Sequence, residues 1–333
     1  MANESQVTKT PVEHAPRVSR AIGRDVFVKR DDKTNARYGG NKIRKLVHLL
    51  ADARAQRATD LVTIGAVGSH HVLATTVHGA ALGMATHAIL APQPYTPHVE
   101  ETVRADLAQG ATLVVAQALW QVPFKVAAVM ARLRARGRRP YLVPLGGSSP
   151  LGAQGYIDAA RELEAQISSG EAPRFDAIYV PLGSGGTLAG LLAGTRALGV
   201  SGRILGVRVT DPWMSSPKLV AFLARGAAKR AGLDVTVQAS EVAIDHDHVG
   251  RGYGHPTDEA RRALDLFAED GIALDLTYTA KTASALITRA KAGTSSERHL
   301  FWQTLSSAPM EPLLIGKPTD VPRAVLEALA RAS

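Results

Sequence analysis

The 333-residue chain contains no cysteine, and it has no long uninterrupted apolar run. The absence of cysteine excludes disulfides, thiolate metal ligands and a cysteine nucleophile. A membrane-spanning helix needs ~18 or more consecutive apolar residues, so none is predicted. Residues 1–5 also lack the basic and apolar blocks of a secretory signal. We therefore expect a cytoplasmic protein with no membrane partner.

Charge is moderate in amount but unbalanced in sign. Charged residues make up 21% of the chain and apolar residues 45%, which is typical of a globular protein. The net charge is +9, and the densest basic run, residues 132–139, contains no aromatic residue. This run lies at the end of a predicted helix, where the helix dipole favours cations. We predict a solvated helix end there and no nucleic-acid partner.

Strand-like apolar segments alternate with helical segments along most of the chain. One alternating series covers residues 61–143, and a second opens at residue 177 and ends at 302. Such alternation is typical of parallel strands joined by crossover helices. We predict an α/β fold with two open, twisted, mostly parallel sheets and helices on both faces. Residues 1–24 are expected to be extended, and a helix is expected from Gly155 to Gln166.

Lys42 follows two glycines at the predicted start of an amphipathic helix. A helix N-terminus carries partial positive charge, which shifts an amine there towards its neutral, nucleophilic form. Apolar residues recur behind Lys42 at helical spacing, so the helix can dock on a core. A neutral amine held in this way can form a Schiff base with an aldehyde, as lysine does in pyridoxal phosphate enzymes. The alternative is an ordinary surface lysine.

A glycine-rich turn at residues 183–187 lies between a predicted strand and a predicted helix. Its glycines allow backbone N–H groups to converge on an anion, and the helix dipole adds attraction. A dinucleotide loop would need glycine at position 188, which is leucine, and a nucleotide P-loop would need a following lysine. We predict a phosphate site here, with a turn that binds no ligand as the alternative.

Taken together, these motifs resemble the family of aminocyclopropane carboxylate deaminase and D-cysteine desulfhydrase, which are fold-type II pyridoxal phosphate enzymes. The resemblance spans residues 15–305. The segments that carry it, in chain order, are Val28-Lys29-Arg30-Asp31-Asp32, Tyr38-Gly39-Gly40-Asn41-Lys42, Arg44-Lys45-Leu46, Gly65-Ala66-Val67-Gly68-Ser69-His70-His71, Pro144-Leu145-Gly146-Gly147-Ser148-Ser149-Pro150-Leu151-Gly152, Gly183-Ser184-Gly185-Gly186-Thr187, Gly252-Tyr253-Gly254-His255-Pro256-Thr257 and Leu274-Asp275-Leu276-Thr277-Tyr278-Thr279.

The resemblance implies pyridoxal 5'-phosphate as cofactor, a small amino acid as substrate and a homodimer. It also implies that a smaller domain, residues 51–157, is inserted into a larger cofactor-binding domain formed by 1–50 and 158–333. The residues that it makes catalytic are Lys42, Ser69, Tyr253 and Tyr278. The residues that it places on the cofactor are Asn41, Lys42, His70, Gly183, Ser184, Gly185, Gly186, Thr187, Thr279 and Thr304.

Some of these residues have simpler interpretations. Ser69 is also where a helix N-cap is expected. Tyr253 and Tyr278 could be buried rings whose hydroxyls bond locally. The pair His246 and His248 lies in a polar loop with no second cluster of ligands in sequence, so we predict a solvated loop and no metal site.

Departures from the family pattern bear on the reaction. The family has asparagine, bonding the cofactor's ring hydroxyl, at the position of His70, and glycine at the position of Leu305. Thr279 favours D-cysteine desulfhydrase, because aminocyclopropane deaminases carry glutamate there. Thr304 matches a threonine near the pyridine nitrogen, and a neutral hydroxyl there suits β-elimination.

We therefore predict a pyridoxal phosphate-dependent carbon–sulfur lyase most similar to D-cysteine desulfhydrase. Aminocyclopropane ring opening and elimination from L-cysteate or β-chloroalanine are alternatives with the same cofactor. A non-catalytic protein that keeps the fold and binds a ligand is an alternative from another class.

Overall fold

Strands in the residues that the structure describes, 6–293, 297–315 and 320–332 of a computed structural model, form two separate sheets. The strands are β1 (Val12–His14), β2 (Asp25–Lys29), β3 (Asp60–Ala66), β4 (Ala85–Ala91), β5 (Thr112–Val115), β6 (Pro140–Val143), β7 (Ala177–Leu182), β8 (Arg203–Arg208), β9 (Ala243–Asp245) and β10 (Arg298–Trp302).

The larger sheet has the order β1-β2-β10-β7-β8-β9, and the smaller has the order β5-β4-β3-β6. β1 and β2 are antiparallel, and the other neighbouring strands are parallel. Parallel strands need crossover connections, which the helices supply. The helices are α1 (Pro16–Ile22), α2 (Asn41–Ala55), α3 (His70–Ala80), α4 (Pro97–Ala108), α5 (Val122–Ala135), α6 (Pro150–Ser168), α7 (Gly186–Leu198), α8 (Pro217–Arg230), α9 (Asp258–Ala268), α10 (Thr279–Ala292), α11 (Glu311–Leu314) and α12 (Arg323–Ala332).

Helices cover both faces of each sheet. In β7, Ile178 and Val180 pack towards α6, α7 and α8, whereas Tyr179 packs with α9 and α10 on the opposite face. Successive strand residues point to opposite faces, so a strand covered on both faces has to be apolar throughout. In the smaller sheet, Leu61 packs with α2 and α3, and Val62 packs with α5. The predicted α/β class with two mostly parallel sheets is confirmed.

The two sheets are built from different parts of the chain, in the pattern expected when one domain is inserted into another. Strands of the smaller sheet lie between residues 60 and 143, whereas those of the larger sheet come from before and after this interval. Helices α2 and α6, which pack against each other, each cross one of the predicted boundaries at 50 and 157. The division into 1–50 with 158–333 and 51–157 therefore stays a prediction.

Two segments differ from expectation. Residues 1–24 are not wholly extended: residues 1–5 lie outside the described part, and α1 forms over Pro16–Ile22 with proline at its start and Gly23 in the left-handed conformation at its end. Helix α6 begins at Pro150, five residues before the predicted start at Gly155. The reason is an N-cap: the Ser149 hydroxyl accepts a hydrogen bond of 3.1 Å from the Gly152 N–H.

The basic run at residues 132–139 and the loop that contains His246 and His248 also have defined contacts. The basic run begins in the last turn of α5, and its Arg138 forms a 2.7 Å ion pair with Asp60. Asp245 is buried at the end of β9, where it pairs with His248 at 2.8 Å and with Arg289 at 2.5 Å. The expected solvated loop is therefore held at its start by the contacts of Asp245. Among the described helices, none is both long and apolar enough to cross a bilayer.

Candidate active site

A cavity of about 520 Å³ opens between the two sheets, at the carboxyl ends of their strands. Ligands of parallel α/β sheets bind at this edge. Residues following β3, β7, β8 and β10 all contribute to the lining. The predicted site residues that line it are Asn41, Lys42, Ser69, His70, Gly183, Ser184, Gly185, Gly186, Thr187, Tyr253, Tyr278 and Thr304.

Lys42 is the second residue of α2, as the sequence predicts. Its Nζ lies 5.7 Å from the centroid of the Tyr278 ring. Burial lowers the pKa of Lys42 from 10.5 to about 8, although the carboxylate of Asp275 acts in the opposite direction. At pH 7 about a tenth of an amine with this pKa is neutral, against less than about 0.1% for an ordinary lysine, and the neutral form is the one that attacks a carbonyl.

The backbone before Lys42 is fixed to the chain after β10. Gly40 has a φ of +83°, and a Cβ there would lie 2.7 Å from the carbonyl oxygen of Thr304. The Asn41 N–H donates to the same oxygen at 3.0 Å. Glycine is needed at position 40 for both the conformation and the close approach. This contact fixes the position of Lys42 relative to Thr304.

A buried ion pair supports the same helix from behind. Arg44 donates to Asp31 through two bonds of 2.7 and 2.9 Å, and it also contacts Glu162 at 3.0 Å. The Asp31 carbonyl oxygen in turn accepts from the Gly40 N–H at 2.9 Å. Arg44 and Asp31 are 3% and 0% exposed at their side chains, so the pair is held away from water.

The glycine-rich turn between β7 and α7, which the sequence predicts to be an anion cradle, lines the cavity. Gly185 adopts the left-handed conformation at the N-cap of α7, and the Gly186 N–H donates to the Ser148 hydroxyl at 3.0 Å. Ser148 also bonds the Ser184 hydroxyl at 2.8 Å. Hydroxyls and backbone N–H groups therefore converge at the start of a 13-residue helix, where the dipole favours an anion.

One hydrogen bond connects the cradle directly to the lysine segment. The Asn41 side-chain amide donates to the Thr187 hydroxyl at 3.2 Å, and both residues are buried. These residues are 146 positions apart in the sequence. The amine and the glycine-rich turn therefore line the same cavity.

Ser69 occupies the N-cap position of α3, but its hydroxyl makes no capping hydrogen bond. The side chain lines the cavity beside His70, the first residue of α3. The Ser69 side chain therefore does not cap α3 in this structure.

Both ring nitrogens of His70 already have partners. Nδ1 lies 2.7 Å from the Tyr38 hydroxyl, and Nε2 lies 3.2 Å from Nε2 of His98. Burial, with His98 next in importance, lowers the pKa of His70 to about 4, so this imidazole is neutral near neutral pH. A new bond from a ring nitrogen to a cofactor hydroxyl requires one of the existing bonds to open.

Tyr253 and Tyr278 face each other across the cavity wall. Their hydroxyl oxygens are 2.6 Å apart, and their rings meet edge to face at 5.5 Å. Burial raises the pKa of Tyr253 to about 12 and raises that of Tyr278 well above its ordinary value. Both phenols are therefore neutral hydrogen-bonding groups.

Thr279 differs from its predicted placement. Its side chain is fully buried and does not line the cavity. The hydroxyl bonds the Asp275 carboxylate at 2.7 Å and accepts from the Asp275 N–H at 2.7 Å. The geometry does not support a direct cofactor contact, because the hydroxyl is held by Asp275. Asp275 itself lines the cavity, and its position four residues before the first residue of α10 was the signal that could have identified it.

Lys45 was also absent from the predicted set. It is 1% exposed, lines the cavity one helical turn after Lys42, and donates to the carbonyl oxygen of Gly146. Burial, with Lys42 nearby, lowers its pKa well below the ordinary value. Its spacing of three residues from Lys42 places both amines on one helical face, which the sequence could have shown.

Comparisons with known proteins show the family of the chain. Residues 4–301 match the profile of the family described as pyridoxal-phosphate dependent enzyme. A crystal structure described as an aminocyclopropane carboxylate (ACC) deaminase homologue is 32% identical, with a TM-score of 0.80 over 92% of this chain and 93% of that one.

More distant solved structures share the fold. An O-ureido-L-serine synthase is 18% identical with a TM-score of 0.65, and the alignment covers 98% of each chain. Threonine deaminase isoform 2 from Solanum lycopersicum is 15% identical with a TM-score of 0.63, covering 99% of this chain and 85% of that one.

Proposed function

Since the chain belongs to the family of pyridoxal-phosphate dependent enzymes, we propose that it is a lyase that catalyses β-elimination from a small amino acid. The cofactor is pyridoxal 5'-phosphate. The proposed substrate is D-cysteine, which would give pyruvate, sulfide and ammonia. The observation that carries the proposal is that an amine of lowered pKa, a glycine-rich helix start and a pair of phenols line one cavity.

The residues of the cavity fit this cofactor. Lys42 supplies the amine, and the N-terminus of α7 supplies N–H groups for a phosphate. Lys45 adds a second buried amine, and none of the groups that shift its pKa is a carboxylate. An anion bound beside it would favour its charged form. We propose that Lys42, Lys45 and residues 183–187 hold the cofactor.

When bound, the cofactor supplies an aldehyde for the lysine and an electron sink for the substrate. The chain then has to orient the substrate and move protons. Ser69 has a hydroxyl with no capping bond, and Lys42 has an amine of lowered pKa in the same cavity. We propose that one of these two groups takes the Cα proton, while Tyr253 and Tyr278 flank the substrate.

The preference for elimination rests on Thr304, and the choice of D-cysteine over aminocyclopropane carboxylate rests on the resemblance at Thr279. Thr304 lines the cavity and is 8% exposed, and its neutral hydroxyl would stabilise a pyridinium less than a carboxylate would. Such a site suits departure of the β-substituent together with loss of the Cα proton. Leu305, where the family has glycine, also lines the cavity and narrows the space for the substrate.

One observation favours a second reaction. The 32% identical structure is described as an ACC deaminase homologue, so aminocyclopropane ring opening is the second candidate. Elimination from L-cysteate or β-chloroalanine would use the same groups. A protein that binds the cofactor but turns over no substrate would be a non-catalytic member of the fold.

A substrate panel separates these reactions. The purified holoenzyme is assayed with D- and L-cysteine, aminocyclopropane carboxylate, L-cysteate and β-chloroalanine, and pyruvate, ketobutyrate, sulfide and sulfite are measured. We expect sulfide and pyruvate from D-cysteine, and no product with Lys42→Ala. Ketobutyrate from aminocyclopropane carboxylate, without sulfide from D-cysteine, would replace the proposal with the second candidate.

We also propose a homodimer in the cytoplasm, as the resemblance implies. Light scattering during gel filtration tests the first point, and a mass corresponding to one chain of 35.2 kDa would contradict it.

A further inference from the structure

Part of the cavity wall, here called the cavity mouth, consists of apolar side chains that come from both sheets. Trp213 and Met214 follow β8 of the larger sheet, and Leu119 and Pro123 follow β5 of the smaller sheet. Trp213 is 64% exposed and Leu119 is 56% exposed, although both line the cavity. Covering such side chains is favourable, so large apolar groups left open around a cavity indicate a ligand-binding surface.

Trp213 lies on a turn that buried groups hold in place. The guanidinium of Arg208, which is 2% exposed, donates to the carbonyl oxygens of Asp211 at 3.3 Å and Ser215 at 3.2 Å. Just before the turn, the Thr210 hydroxyl donates at 3.4 Å to the carbonyl oxygen of the first glycine in the glycine-rich turn. The indole is therefore presented to the cavity from a fixed backbone that is bonded to the predicted phosphate site.

The other two tryptophans of the chain have different surroundings. Trp302 is fully buried, and its indole N–H donates to Asp31 at 2.7 Å. Trp120 is 69% exposed, but it does not line the cavity, and its ring meets that of Phe124 edge to face at 6.3 Å. Trp120 is therefore a matched control for an exposed indole that lies outside the cavity.

We propose that the cavity mouth is a subsite for an apolar group carried by the β-substituent of the substrate. This inference rests on the proposed elimination and names its substrate class, which is cysteine with an alkyl or aryl group on sulfur. D-Cysteine itself is the smallest analogue of this class and would leave the mouth unfilled. Arg251 also lines the cavity and would favour an anionic substituent, but the apolar side chains from both sheets favour the uncharged one.

The reaction of such a substrate balances without an oxidant. The Cα proton is removed and the Cβ–S bond breaks, and the electron pair of that bond leaves with the sulfur, which gains a proton to become a thiol. Water then supplies the oxygen that completes pyruvate, and the nitrogen is released as ammonium.

Amino acids that cannot lose a thiol test the subsite without turnover. Homophenylalanine is S-phenylcysteine with a methylene in place of sulfur, and 2-aminobutyrate is cysteine with a methyl in place of the thiol. Calorimetric titration of the holoenzyme gives the affinity of each, in the D and the L form. We expect homophenylalanine to bind at least about tenfold more tightly, because its phenyl group is removed from water. Equal affinities, or tighter binding of glutamate than of homophenylalanine, would overturn the proposal.

Substitutions of the two exposed tryptophans locate the subsite. Trp213→Ala should reduce the affinity ratio of homophenylalanine to 2-aminobutyrate to less than about threefold, whereas Trp213→Phe should retain most of it, since an aromatic face is still present. Trp120→Ala is the control and should leave the ratio unchanged. A ratio in Trp213→Ala as large as in the wild type would overturn the assignment of the cavity mouth.

Turnover separates this inference from the reaction on which it rests. The holoenzyme is assayed with S-phenylcysteine and with cysteine, and thiophenol or sulfide is measured together with pyruvate. We expect the higher kcat/KM with S-phenylcysteine, and a higher value with cysteine would overturn the substrate class. Elimination from neither amino acid, with the affinity ratio intact, would overturn the proposed reaction and leave the apolar subsite in place.

Discussion

Replacing Lys42 by methionine should stabilise the cofactor-free protein, although it removes the residue that the reaction needs most. Methionine has a similar length and no charge, so it does not incur the cost of burying an ammonium group. The size of that cost follows from the pKa of Lys42, which burial lowers from 10.5 to about 8. At neutral pH this difference corresponds to a penalty of about 3 kcal/mol in the free energy of unfolding.

One contact reduces the net gain. The ammonium lies 5.7 Å from the centroid of the Tyr278 ring, and loss of this cation–π contact costs about 0.5–1 kcal/mol. We therefore expect Lys42→Met to be more stable by about 2 kcal/mol at pH 7. Lys229→Met on the exposed face of α8 is the matched control and should change stability by less than about 0.5 kcal/mol.

The pH dependence fixes the sign of the effect. The folded chain holds the Lys42 proton less tightly than the unfolded chain, so the penalty is full below about pH 8 and is relieved as the pH rises to 10.5. The electrostatic part of the stability that Lys42→Met gains over the wild type should fall to about 1 kcal/mol by pH 9.5. Urea denaturation of the two variants and the wild type across this range measures it. A Lys42→Met protein that is less stable at pH 7, or a pH-independent gain, would refute the reasoning.

Three further substitutions test the rest of the site. Gly146→Ala places a methyl group against the Ser184 hydroxyl and should weaken cofactor binding, measured by fluorescence titration, by more than about tenfold. The control is Gly137→Ala, because Gly137 has a similar φ and open space around it. Equal cofactor affinities of the two variants would contradict this prediction. Asp275→Asn removes a carboxylate that raises the pKa of Lys42, so the pH of half-maximal cofactor capture should fall below about 8. A pH profile of cofactor capture that is the same as in the wild type would contradict this prediction. Arg44→Met leaves the buried Asp31 carboxylate without its salt-bridge partner, whereas Glu162 keeps Lys29. The substitution should cost about 3–5 kcal/mol, seen as a lower Tm. An unchanged Tm would count against the buried pair.

Local signals were sufficient for the parts of the fold that depend on neighbouring residues. The glycines around Lys42 and in the turn 183–187 predicted helix starts, and α2 and α7 begin there. Apolar runs such as 177–180 predicted buried strands because both faces of β7 are covered. The start of α6 was missed because the capping hydroxyl of Ser149 was included in a glycine-rich break.

Long-range contacts could not be obtained from the sequence in the same way. No local pattern indicates that the Asn41 amide meets Thr187, or that Nε2 of His70 meets His98. Both contacts arise because parallel strands bring their carboxyl ends to one edge and each following segment turns into the same cleft. Thr279 shows the converse: its sequence position matches the family motif, but the hydroxyl is held by Asp275.

The most direct test of the central claim is the covalent location of the cofactor. The holoenzyme is reduced with borohydride, digested and mapped by mass spectrometry. We predict one pyridoxyl group per chain, on Lys42, and none in Lys42→Ala. A pyridoxyl group on Lys45 instead, or its persistence in Lys42→Ala, would contradict the assignment of the reactive amine.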